Sequence, residues 1–230
     1  MTEIDRFKFE DRNTDFPFYN NNPHIPIWGW IVLFIAGLIG FFLTGSNKPY
    51  FSIIGCVILI VPVLYFLKRD YKAIVKMPSR KDLLLIVVLF AAYMIYSSAI
   101  GPVLAQLGIV SGGTVDAATL SVWSSIGFLF SVLGEEFIKF IPFVFFLTVL
   151  YKYLGNRKLS IIISVALVIL IFSSMHSYNY VMFLYALIIQ GLGTIFEFYG
   201  YIKTKNLIVP FLCHLLTDEF ILLITLLGLG

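Results

Sequence analysis

The chain has 230 residues, 60% of them apolar and only 13% charged, with a mean hydropathy of +0.95 and a formal charge of +3. Soluble domains run at roughly 45–50% apolar and about 25% charged, so an ordinary water-soluble globule, a disordered chain and a nucleic-acid-binding domain are all excluded. The apolar excess gathers into runs near the length of one bilayer crossing, and the expected fold is all-α: a polytopic transmembrane helical bundle of about seven crossings (six to eight) with its active site within the bundle.

Residues 1–24 are polar and mixed in charge and read as a cytoplasmic N-terminal arm; no cleavable signal peptide is expected there. Residues 25–230 read as a single transmembrane helical domain. Its apolar segments lie at about 26–44, 50–67, 82–101, 119–151, 159–176, 180–202 and 206–228. The fourth is too long for a straight crossing, since at 1.5 Å per residue it spans roughly 50 Å against a hydrocarbon core of about 30 Å. Ser121, Ser124 and Ser125 within Leu120–Phe130 point to a tilt or a break there. Gly112-Gly113, in the long loop before it, reads as turn chemistry. Cys56 and Cys213 sit inside apolar runs and read as small core residues.

Lysine and arginine set the orientation. Arg6, Lys8 and Arg12 precede the first segment, and Lys68, Arg69, Lys72, Lys76, Arg80 and Lys81 follow the second. Lys152, Arg157 and Lys158 follow the fourth, and Lys203 and Lys205 follow the sixth. With seven crossings all of these fall on one side, which places the N-terminus in the cytoplasm and the C-terminus outside.

Ionisable residues inside the apolar runs carry the functional signal: Glu135, Glu136, Lys139, His176, Glu197, His214, Asp218 and Glu219. A charge at the centre of a spanning helix costs about 2.5–3.5 kcal/mol on insertion scales, so each needs a partner or a task. Glu135 and Glu136 both lie within one helical turn of Lys139. One of the two carboxylates is suited to act as a base while the lysine offsets the other. His214 and Asp218 share a helix face, a spacing that suits two ligands of one metal or an aspartate that orients a histidine. Glu197 reads as a snorkelling residue directed towards Lys203. Two histidines and a carboxylate can hold a divalent ion with an open water position, or a glutamate–histidine pair can activate water without metal; the residues alone leave both open. Both routes are hydrolytic. The cost of leaving these groups in hydrocarbon predicts one water-filled cavity lined by Glu135, Glu136, His176, His214 and Asp218. Counted from the helix ends, however, Glu135, His176, His214 and Asp218 lie at depths of roughly 24, 25, 12 and 18 Å.

At these residues the chain resembles the CAAX-protease and bacteriocin-processing family of intramembrane proteases, also called CPBP or Abi. The family pattern is EExxxR, then FxxxH, then HxxxN or HxxxD, each on its own helix. Glu135-Glu136 match the first motif, Phe172 and His176 the second, and His214 and Asp218 the third. The motif-bearing core covers about residues 119–220. Phe140 stands where the family has arginine, and Lys139 is the nearest cation; EExxK is closer to a related group of membrane proteases that clip anti-sigma factors.

The resemblance implies an intramembrane endopeptidase that cuts peptides or membrane-associated substrates. Its site would be Glu135, Glu136, His176, His214 and Asp218, supported by Lys139 and Phe172. Glu135 and His176 would activate water, and His214 and Asp218 would complete the site or its oxyanion hole. If a metal is used, Zn2+ is the candidate and Glu135, His176 and His214 its ligands; no other cofactor is implied. The expected surroundings are a lipid bilayer, in a bacterial plasma membrane, with no nucleic-acid partner. A non-catalytic partner of the same fold, such as a bacteriocin self-immunity or regulatory protein, is the alternative. A proton-coupled transporter is a third reading, for which the paired inverted halves are missing.

Overall fold

The computed structural model describes residues 5–11, 14–21, 23–46, 48–110 and 122–227. Gly112-Gly113, Leu120 and Ser121 lie outside the described residues. Helices make up the whole regular structure of the described chain: α1 (Ile27–Thr44), α2 (Pro49–Phe66), α3 (Arg80–Gln106), α4 (Val122–Leu154), α5 (Arg157–Met175), α6 (Tyr180–Tyr185), a π-helical turn (Ala186–Gly191), α7 (Leu192–Thr204) and α8 (Ile208–Leu226). Among the described residues, six segments are long and apolar enough to cross a membrane, with α6, the π turn and α7 forming one of them. The protein is a polytopic helical bundle of an integral membrane protein.

Local sequence sets several helix ends. Pro49 opens α2 at a position where its missing N–H costs nothing. Ser79 and Asp82 form a capping box at the start of α3, with Ser79 Oγ accepting from the Asp82 N–H at 3.2 Å and Asp82 Oδ2 accepting from the Ser79 N–H at 2.8 Å. Asn156 caps α5 by accepting from the Leu159 N–H, and Asn179 caps α6 by accepting from the Met182 N–H.

The break expected near Leu120–Phe130 is absent from the described part of that stretch. From Val122, α4 runs as one 33-residue helix, about 50 Å long, so it tilts or overhangs a bilayer core. The irregular backbone falls instead in the sixth crossing, at the π turn. There Gly191 meets the Ser173 hydroxyl of α5 so closely that no Cβ would fit.

Packing makes α4 the central element. It touches α1, α2, α5 and α8, while α3, α7 and α8 pack among themselves on its other side. Its middle stretch is buried on nearly every face, from Glu136 through Ile141 to Val144, as expected of a helix surrounded by others. The main core joins Leu59, Val63, Ile141, Phe143 and Leu147 with Phe16, Phe18 and Tyr19 of the N-terminal arm. A smaller cluster of Ile86, Leu89, Val209 and Cys213 ties α3 to α8. Cys56 and Cys213 are buried free thiols.

The arm is therefore polar in composition but packed. Arg157 Nη1 and Nη2 donate to the two Glu10 carboxylate oxygens, each at 2.7 Å, and Nη2 also donates to Asp15 at 2.9 Å. Lys205 donates to Glu10 at 2.6 Å, and Lys203 donates to Asp11 at 2.8 Å.

Candidate active site

Four helices bring their polar residues to one place. The centre of α4 supplies Glu135, Glu136 and Lys139, the end of α5 supplies Phe172 and His176, α7 supplies Glu197, and α8 supplies His214 and Asp218. Position along α4 divides the two glutamates. Glu136 is 3% exposed and faces the bundle interior, whereas the Glu135 side chain is 25% exposed and faces the histidines.

His176 sits just past the last turn of α5, where backbone carbonyls lose their helical partners. Its Nδ1 lies 2.9 Å from the Phe172 carbonyl oxygen. A carbonyl only accepts, so Nδ1 carries the hydrogen and Nε2 presents its lone pair. That Nε2 lies 3.9 Å from Glu135 Oε2, and His214 Nε2 lies 3.9 Å from the same oxygen. Asp218 Oδ2 is 3.3 Å from His214 Nε2, and Glu136 Oε1 is 2.8 Å from His214 Nδ1. Glu136, His176 and Asp218 thus gather around Glu135 and His214, with both histidines and Asp218 on the partly open side.

Lys139 is held more tightly than its sequence neighbours alone predict. Its ammonium donates to Glu136 Oε1 at 2.5 Å and also to Glu197 Oε2, and it stands 5.1 Å from the Phe172 ring centre. Glu197 therefore does not snorkel towards Lys203, which is engaged by Asp11 and the Phe9 carbonyl. A buried lysine needs more than one carboxylate to offset its desolvation, and Glu197 is the second. Glu219 is exposed on the opposite side of α8 from Cys213 and Thr217, which are buried, and takes no part in the site.

The expected metal set fits poorly. Among the described residues, the group whose ligand atoms all lie within 4.8 Å of one another is Glu136, Glu197 and His214, not Glu135, His176 and His214. The centre of that compact group is taken by the Lys139 ammonium, which contacts Glu136, Glu197 and, at 3.4 Å, His214 Nδ1. A tethered monovalent cation thus sits where a divalent ion would be coordinated. A small chamber is lined by Glu136, Lys139, Glu197 and Tyr201, and Glu135, His176 and Asp218 are not among its walls.

The sequence did not mark Glu197 as a member of this cluster. No family model, no curated protein and no solved structure matches the chain.

Proposed function

We propose that the protein is an intramembrane endopeptidase of the glutamate–histidine kind, acting on peptides or membrane-associated proteins. One observation carries this reading: Glu135 Oε2 lies 3.9 Å from the Nε2 atoms of two histidines contributed by different helices. That gap is too long for a direct hydrogen bond and suits one bridging water. The water would donate to Glu135 and to the His176 Nε2 lone pair. Glu135 would take its proton as the oxygen attacks the peptide carbonyl carbon, then pass that proton to the amine as the C–N bond breaks. His214 Nε2–H, steadied by Asp218, would donate to the developing oxyanion. Glu136 would hold the opposite ring nitrogen, fixing the orientation of His214. No step is routed through a metal, because the compact carboxylate–imidazole group already surrounds Lys139.

The loop charges support an orientation with the N-terminal arm in the cytoplasm and α8 ending outside. Comparison of membrane peptidomes from cells carrying wild type, Glu135→Gln and His176→Ala tests the reading. Both side chains are partly exposed, so both variants should keep wild-type melting temperatures while losing cleavage by at least about a hundredfold, the usual scale of a removed general base. Peptidomes that do not differ among the three would favour the non-catalytic partner.

A further inference from the structure

Between α5 and α7 lies a groove of about 540 Å³ whose lining residues are all apolar or aromatic. Ile161, Val165 and Ile169 line it from α5 at four-residue steps, and Leu192, Ile195 and Tyr199 line it from α7 at steps of three and four, so each wall is one helix face. Ile162, Leu170 and Ile195, also in its lining, remain 56%, 46% and 47% exposed, so the groove opens sideways. Both walls belong to segments apolar enough to cross a membrane, where the surrounding solvent is hydrocarbon. From Ile161 to Leu170 the groove follows α5 for about 14 Å, close to half of a hydrocarbon core of about 30 Å. Its volume falls within the roughly 300–1,000 Å³ of sites that enclose a small molecule. A hydrocarbon chain of one leaflet matches it in length and in chemistry.

One end of the groove carries positive charge. Phe7 and Phe9 of the arm close that end, with Phe9 stacked on Tyr199 at 4.7 Å. Lys158, at the start of α5, stands 6.0 Å from the Phe7 ring centre, and Lys203, near the end of α7, donates to the Phe9 carbonyl at 3.0 Å. A lysine therefore stands at the arm end of each wall, and Lys8 is exposed between the two phenylalanines. These three lysines and Arg6 outnumber Asp5 and Asp11, the two acids that pair with Lys158 and Lys203. We infer that the groove holds one acyl chain of an anionic phospholipid, whose phosphate is held at the arm end by Lys8, Lys158 and Lys203. Burial of the chain supplies affinity, and the lysines select the headgroup. The site does not depend on the protein being a hydrolase.

The test reconstitutes the full chain in vesicles of equal phosphatidylglycerol and phosphatidylcholine, extracts it in mild detergent and weighs it by native mass spectrometry. Wild type should retain one phosphatidylglycerol per chain. Ala166 is an exposed lining residue of α5, and Ala166→Phe should fill the groove and abolish retention without lowering the melting temperature. Ala91→Phe, at an exposed position of α3 outside the groove, should retain the lipid. One cation fewer at the headgroup should lower the preference for phosphatidylglycerol about fivefold, read in Lys158→Gln. Wild type that carries no lipid, that retains both lipids equally, or that carries a copurified apolar peptide instead overturns the inference. Retention that is the same in Ala166→Phe as in wild type overturns it as well.

Discussion

Lys139 shows how one side chain can organise several others. The residue is 3% exposed, and its ammonium is the common partner of Glu136 and Glu197. Removing one member of a buried ion pair costs about 3–5 kcal/mol, because the remaining charge is left without compensation. Lys139→Ala should therefore reduce thermal stability and membrane abundance sharply. Adding Glu197→Gln should recover part of the loss, since one of the two stranded carboxylates becomes neutral. A double-mutant cycle on melting curves checks this; simple additivity of the two changes would show that Lys139 and Glu197 do not act as a pair. The Glu136–Lys139 contact was legible from a spacing of three residues. The Glu197 contact was not, because it joins residues 58 apart in sequence, and nothing in the local pattern of α7 names a partner on α4.

At the scale of elements, the irregular turn in the sixth crossing depends on a small residue. A methyl group on Gly191 would collide with the Ser173 hydroxyl and come within 3.1 Å of Ile169 Cγ2 and 3.3 Å of the Ala186 carbonyl oxygen. Gly191→Ala should cost about 1–3 kcal/mol through overpacking. Gly37→Ala in α1, where nothing lies within 4 Å of the added methyl, should be neutral or stabilise by up to about 1 kcal/mol. Melting of both variants in nanodiscs measures the contrast, and equal effects would show that α5 and the π turn are not in close contact. The helices themselves were largely legible, since each apolar run has one helical crossing or long helix at its place. The serines of α4 mark no break in its described part. In the structure serine hydroxyls bond back along helices without breaking them, as Ser160, Ser164 and Ser173 do in α5. The depths of the site residues misled for a related reason. Counting from helix ends assumes that the ends are level, and a 33-residue α4 cannot be level with neighbours of about 19 residues in a core of about 30 Å.

For the molecule as a whole, the acidic arm and the basic loops form one closure. Arg157 and Lys205 meet on Glu10, whose side chain is wholly buried. Burial alone raises the Glu10 carboxyl, but hydrogen bonds from Arg157 and Lys205 outweigh it and hold the group at about 2, against an ordinary value of 4.5. Burial likewise lowers Lys205, in spite of its carboxylate partner. A depressed carboxyl stabilises the fold above its ordinary value and ceases to do so as pH falls through its folded value. Wild type should therefore lose stability progressively between pH 4.5 and about 2, whereas Glu10→Gln should start less stable at neutral pH and change less over that range. Melting curves at a series of pH values test this; parallel curves for the two proteins would remove Glu10 from the closure.

The same closure has a consequence for how the protein is made. Glu10 is synthesised well before its partner Lys205, which lies 195 residues further along the chain. At about 5–20 residues per second, roughly 10–40 s separate their emergence from the ribosome. Throughout that interval the arm's charges and aromatic side chains wait without their final partners, so an early-made segment can lock only late.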